Sequence, residues 1–171
     1  QELLIEAINL VKIELGYDAF HVVILGSDQG RDLYKKKLIR LTEQYRLNNQ
    51  IKFIEHCQDM ALAYKVADFV ISASIEPEAF GRVAVEAQSM EKLIIASNIG
   101  GSNETIVNEK TGFLFESGDA NSLSKKIIKA ITIDETSLKL IGKEGRKNII
   151  KKFNVEKMCF STYSEYKRLL N

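Results

Sequence analysis

Two glutamates carry the most telling chemistry in this chain. Glu78 and Glu86 stand eight positions apart in the stretch Ser74-Ile75-Glu76-Pro77-Glu78-Ala79-Phe80-Gly81-Arg82-Val83-Ala84-Val85-Glu86-Ala87. Glu78 falls beside the start of a mostly apolar helical segment, and Glu86 falls inside it. An acid among Val and Ala residues must find hydrogen-bond donors or face solvent. Between the two acids, Ala79-Phe80-Gly81-Arg82 reads as a strand-to-helix turn, and the free N–H groups of a helix start favour an anion. Gly81 lets a ligand approach the backbone because it has no side chain. Arg82 reads equally as an anion contact and as a surface side chain of the first turn. Together these residues suit a ligand with both phosphate and hydroxyl groups. Taken singly, Glu78 also reads as an acid favoured by the helix dipole, and Glu86 as a solvated carboxylate. Gly26-Ser27 and Gly100-Gly101 follow apolar runs and read either as tight turns or as the lining of a cleft.

Other chemistries are disfavoured. Gly26-Ser27-Asp28-Gln29-Gly30 is not GxGxxG, and no GxxxxGK[ST] occurs, which speaks against a nicotinamide, flavin or P-loop site. Cys57 and Cys159 lack metal-ligand spacing, so no metal site or cofactor is expected in this domain. His21 reads as structural and His56 as incidental. A net charge of +1 gives no reason to expect nucleic acid. The 171 residues, 45% hydrophobic and 27% charged, suit one globular domain. No apolar run approaches bilayer length, Glu2 and Glu6 break the N-terminal pattern, and so few cysteines suit a reducing, cytoplasmic setting. Lys35-Lys36-Lys37 with Arg40 reads as a solvated helix face, allowing at most peripheral contact with anionic lipid headgroups. The chain opens on Gln1 directly in a helical pattern, as a piece of a longer protein would.

The elements that must position the acids follow from periodicity. Leu3, Leu4, Ala7, Ile8, Val11 and Leu15 predict a helix over 2–15. Short, β-branched apolar runs predict strands at 21–25, 51–54, 69–71, 93–96 and 112–115. Between them lie predicted helices at 30–47, 60–66 and 80–90 and a helical turn over 103–108. Alternating buried strands and helices imply an α/β domain with a Rossmann-like, doubly wound parallel sheet. After Gly118 the pattern is helical, with Asp119 a good N-cap for 120–132, then helices over 135–152 and 155–170. Residues 119–171 thus form a helical tail of the same domain. Val155, Cys159, Tyr163 and Tyr166 form a stripe on the last helix that reads most simply as packing.

Glu78-Ala79-Phe80-Gly81 followed by Glu86-Ala87 resembles the signature of retaining glycosyltransferases of family 4. The likeness continues through Leu25-Gly26, Ile51-Lys52-Phe53-Ile54, Asp59-Met60, Tyr64 and Ala67-Asp68, then Ile95-Ala96-Ser97, Gly100-Gly101, Glu104-Thr105, Thr111-Gly112 and Gly118-Asp119. The resemblance implies the C-terminal, donor-binding half of a two-domain GT-B enzyme. Such an enzyme moves a sugar from a UDP- or GDP-sugar to an acceptor with retention. It implies that Glu78 is the catalytic-site carboxylate on the donor sugar and that Glu86 accepts from the ribose diol. The backbone around Ala79, Phe80, Gly81 and Arg82 would lie on the diphosphate or sugar, and Gly26, Gly100 and Gly101 would border the cleft. It also implies a preceding central strand, an Arg–Lys pair after it and an N-terminal acceptor domain. None of these is in the sequence, so the 171-residue chain alone is expected not to transfer sugar. The resemblance also implies that the terminal helix region returns toward the other domain, which gives Tyr163 and Tyr166 a second possible partner there. Leu93 stands where the family commonly has proline, and Glu55-His56 where it commonly has glycine. A nucleotide-sugar epimerase of the same architecture and a non-catalytic nucleotide-sugar-binding module are the competing readings.

Overall fold

The computed structural model describes residues 1–16, 20–28, 30–55 and 57–170; His56 and Gln29 lie outside the described residues. Among the described residues five strands alternate with helices: α1 Glu2–Leu15, β1 Val22–Leu25, α2 Asp32–Gln44, β2 Ile51–Ile54, α3 Met60–Val66, β3 Phe69–Ser72, α4 Arg82–Ser89, β4 Leu93–Ser97, α5 Ser102–Thr105 and β5 Phe113–Phe115. Three helices complete it: α6 Ala120–Thr132, α7 Glu135–Lys152 and α8 Val155–Leu170. Every strand pair is parallel. Asp59, Asp119 and Asp134 cap α3, α6 and α7 by accepting from backbone N–H groups two or three residues on, which satisfies donors the first turn leaves orphaned.

β4 shows why the strands are apolar throughout. Leu93 and Ile95 point into a core shared with α1, α2 and α6, whereas Ile94 and Ala96 point into a second core with Tyr64, Ala84, Ala87 and Ile106. A strand covered on both faces has no polar side to present. The sheet is doubly wound, as the sequence predicts, but it is divided. β1 pairs with β2, and β3-β4-β5 form a separate sheet. The edges of β1 and β3 face a cleft of about 1880 Å³ lined by Val22–Leu25, Phe69–Ala73, Leu3, Leu4 and Ile8.

Three boundaries and one packing expectation need correction. The helical turn expected over 103–108 runs from Ser102 to Thr105, and the chain turns extended at Ile106. The helix expected over 80–90 begins at Arg82, because Gly81 adopts φ 73° and ψ 59°. The helix expected over 30–47 runs from Asp32 to Gln44. The stripe on α8 does not pack within the chain: Val155, Tyr163 and Tyr166 are 70%, 65% and 65% exposed, and α8 contains no buried residue.

Candidate functional site

β3 ends at Ser72, and the chain runs exposed through Ile75–Phe80 before α4 starts. Glu78 sits on this segment, accepts a hydrogen bond from Ser74 Oγ and lines the large cleft. Its backbone is held from the other side by the loop after β4. The Gly101 N–H donates to the Glu78 carbonyl at 2.8 Å. A Cβ on Gly100 would lie 2.6 Å from that same carbonyl oxygen, and one on Gly101 would lie 2.5 Å from the Phe80 carbonyl carbon. Both are far inside contact distance, so glycine at each position is what lets the two loops stack. The Thr105 hydroxyl donates to the Gly101 carbonyl at 3.0 Å, and the Thr105 carbonyl receives Gln88 Nε2 at 3.2 Å and Asn148 Nδ2 at 3.0 Å. Through these bonds α4, α5 and α7 hold the loop from beneath. The Phe80 ring stands edge-on to Phe153, with centroids 5.7 Å apart.

α4 presents the second acid. Glu86 is half-buried on its second turn and keeps two partners. Tyr64 of α3 donates its hydroxyl to Oε2 at 2.8 Å, and Arg82 Nη2 lies 3.1 Å from Oε1. Tyr64 is only 6% exposed. Burial, then the bond to the Glu86 carboxylate, pushes its phenol well above the usual tyrosine range, so it stays a proton donor. Arg82 is 85% exposed, and its pair with Glu86 is an ordinary i,i+4 surface pair. Gly81 in the left-handed conformation turns the chain into the helix without a side-chain cap, and its carbonyl accepts from the Ala84 N–H at 3.0 Å and the Val85 N–H at 3.3 Å.

The structure therefore gathers Glu78, Phe80, Gly100 and Gly101 at one loop junction, and Arg82 with Glu86 on the helix that follows. Ala79 is exposed between them. Gly26 stands apart. It ends β1, donates its N–H to the Ile54 carbonyl at 2.9 Å, and lines a separate cavity of about 180 Å³ with Ser27, Asp28, Arg31 and Glu55. Tyr64 and Ser74 are the polar contacts to which sequence reading gave no role. The signal for Tyr64 is a hydroxyl within an otherwise apolar helix turn, because a buried tyrosine usually finds a partner. The Lys35–Lys37 run is partly paired, Lys35 with Glu55 and Lys37 with Glu2. Among the described residues no helix is long and apolar enough to cross a membrane.

The profile of the glycosyl transferases group 1 family matches residues 1–153. The chain belongs to the group 1 glycosyltransferases. It is 29% identical over 167 residues to the capsular polysaccharide biosynthesis glycosyltransferase CapM of Staphylococcus aureus, covering 98% of this chain and 42% of that protein. A glycosyltransferase from Rickettsia africae superposes with a TM-score of 0.89 at 34% identity, over 99% of this chain and 44% of the other. Anabaena Alr3699/HepE in complex with UDP-glucose superposes with a TM-score of 0.87 at 25% identity, over 98% and 45%. The chain thus spans less than half the length of these relatives and has the Rossmann-like C-terminal domain of a GT-B glycosyltransferase.

Proposed function

We propose that this group 1 glycosyltransferase chain is the donor-binding half of a retaining, family 4 enzyme. It would bind a UDP- or GDP-hexose, whose sugar the complete protein passes to a glycan or glycolipid acceptor. The observation that carries the reading is the half-buried Glu86 carboxylate on α4, one turn beyond a helix N-terminus with no side-chain cap and downstream of Glu78. One ionised carboxylate accepts from two neighbouring hydroxyls, as acids do on ribose in dinucleotide-binding folds. In this reading Glu86 takes the ribose diol. The Phe80–Gly81–Arg82 backbone and the Arg82 guanidinium take the diphosphate, and Glu78 takes hydroxyls of the sugar. Charge developing on the leaving diphosphate is met by amide dipoles and cationic side chains, with no metal held by this domain. Gly100 and Gly101 act by seating the Glu78 loop. The HepE complex with UDP-glucose supports a nucleotide sugar as the donor class.

Titrating UDP, GDP and their sugars by calorimetry tests the assignment. Glu86→Ala is expected to weaken the nucleotide by about tenfold or more, since hydrogen bonds to a charged group contribute about 1.5–3 kcal/mol each. Glu78→Ala is expected to leave the free nucleotide nearly unchanged and to remove the preference among its sugars. Nucleotide binding indifferent to Glu86→Ala would sink the ribose assignment, and an unaltered sugar preference in Glu78→Ala would remove Glu78 from its role. The same reading places one further strand in the cleft between β1 and β3 and the acceptor site on another domain. The 171-residue chain is then expected to bind donor without turnover, and robust transfer by it alone would overturn that part.

A further inference from the structure

Tyr64 is a more demanding choice than its surroundings require. α3 carries Met60, Ala61, Leu62, Ala63 and Val66 around it, and its ring fills a core shared with Ala84, Ala87 and Ile106. Phenylalanine would fill the same space. A buried hydroxyl needs a partner or it destabilises the fold, and the partner here is the Glu86 carboxylate at 2.8 Å. The contact spans two elements and 22 positions of sequence. It therefore fixes the carboxylate relative to the rigid core, whereas the Arg82 pair ties it only to its own exposed helix turn.

We propose that Tyr64 is the positioning residue for Glu86, holding the carboxylate in the one orientation that presents its free oxygen sites to a vicinal diol. The inference rests on Glu86 being the ribose contact. An ionised carboxylate offers about four acceptor sites. Tyr64 takes one on Oε2 and Arg82 one on Oε1, which leaves one on each oxygen, matching two adjacent hydroxyls. Because the phenol keeps its proton, it donates to the acid and does not compete with it, as a phenolate would, for the hydroxyl donors of the diol. A rotamer held by a buried partner is not paid for again when ligand binds, and that is how preorganisation raises affinity. The group Tyr64 acts on is thus the ribose of a nucleoside diphosphate, and its signature is discrimination between a nucleotide with hydroxyls and one without.

The test measures affinities of the full chain for UDP and GDP beside their 2′,3′-dideoxy forms, with unfolding temperatures recorded for each variant. In the wild type the ribonucleotide is expected to bind about tenfold or more tightly than its dideoxy form. Tyr64→Phe keeps the ring and is expected to shrink that ratio by about three- to tenfold, in line with one lost hydrogen bond to a charged group. Its affinity for the dideoxy nucleotide should stay within about twofold. Arg82→Ala should lower both nucleotides alike and leave the ratio within about twofold. Equal losses for both nucleotides in Tyr64→Phe would mark a purely structural tyrosine and overturn the proposal. So would an unchanged ratio in Tyr64→Phe alongside a collapsed one in Glu86→Gln, or a collapse in Arg82→Ala as large as in Tyr64→Phe. A ratio that Glu86→Gln leaves intact, or a wild type that binds neither nucleotide, overturns the ribose reading itself, which separates the two failures.

Discussion

The loops after β3 and β4 touch backbone to backbone, and the side chain that is absent at Gly101 decides whether they can. Any Cβ there meets the Phe80 carbonyl carbon at 2.5 Å, and main chain yields less easily than the tip of a side chain. Gly101→Ala must push the Phe80–Gly81 turn outward or break the Gly101 N–H bond to Glu78. Overpacking of this kind costs about 1–3 kcal/mol, so chemical denaturation should show a loss of that size. Because the displaced segment carries both Glu78 and the N-terminus of α4, donor binding should weaken in the same variant even though no ligand contact is removed. Retained stability with unchanged donor affinity would show that the two loops are not coupled in this way. The glycine pair shows where sequence reading stops. Gly100-Gly101 reads equally as a turn and as a cleft lining, and only the fold shows a third reason, a neighbouring backbone. Glu86 was legible as an acid in need of donors, but the donor from α3 lies 22 residues upstream, and no spacing rule reaches it.

Elements were legible where one force sets them. The strands were visible because burial on both faces leaves no polar alternation, and α6 because Asp119 caps a segment whose Leu123 and Ile127 reach the core. α4 started two residues late because a left-handed Gly81 looks no different from a helical one in sequence. The stripe on α8 announces a partner without saying whether the chain contains it, and within this chain it is exposed. The junction of β5 with α6 gives a prediction at this scale. Glu109 receives Lys126 at 2.6 Å and also Lys129, and the Lys129 ammonium lies 4.7 Å from the centre of the Phe113 ring. Partial burial pushes the Glu109 carboxyl up, but the two ammonium groups outweigh it and the net shift is downward from 4.5. A carboxylate with a depressed folded-state pKa stabilises the fold above its unfolded value, and that contribution fades as pH falls through the folded one. Glu109→Gln should therefore reduce stability at neutral pH and flatten its decline below about pH 4.5. An acid limb of the same steepness in the variant would exclude this pair from the linkage. Solvent exposure keeps the effect small.

At the scale of the whole molecule, the defining feature is the division of the sheet into β1-β2 and β3-β4-β5. β1 and β3 both run parallel to their neighbours, each has one edge that pairs with no strand among the described residues, and both line one apolar cleft of about 1880 Å³. On β1 the Val22 and Gly26 N–H groups bond to the β2 side, so by alternation those of Val23 and Leu25 point into the cleft. Val23 is 56% exposed, a poor place for a β-branched side chain in a strand otherwise built for burial. Free parallel edges on either side of an apolar gap fit a strand running parallel to both, the arrangement we propose the complete enzyme adopts. Tethering one short apolar strand ahead of Gln1 by a turn should join the two sheets. Amide exchange then reports the change, with Val23 and Leu25 slowing by about tenfold or more as each gains a backbone hydrogen bond worth about 0.5–1.5 kcal/mol within a newly closed sheet. The Glu78 segment leaves the carboxyl end of β3, so its exchange should slow too and donor affinity should rise, because the ligand no longer orders that edge itself. Unaltered exchange at Val23 and Leu25 in the extended chain would mean that the cleft does not take a strand. Slowed exchange with no gain in affinity would confine the strand to stability and leave the donor site complete on α4 and its loop.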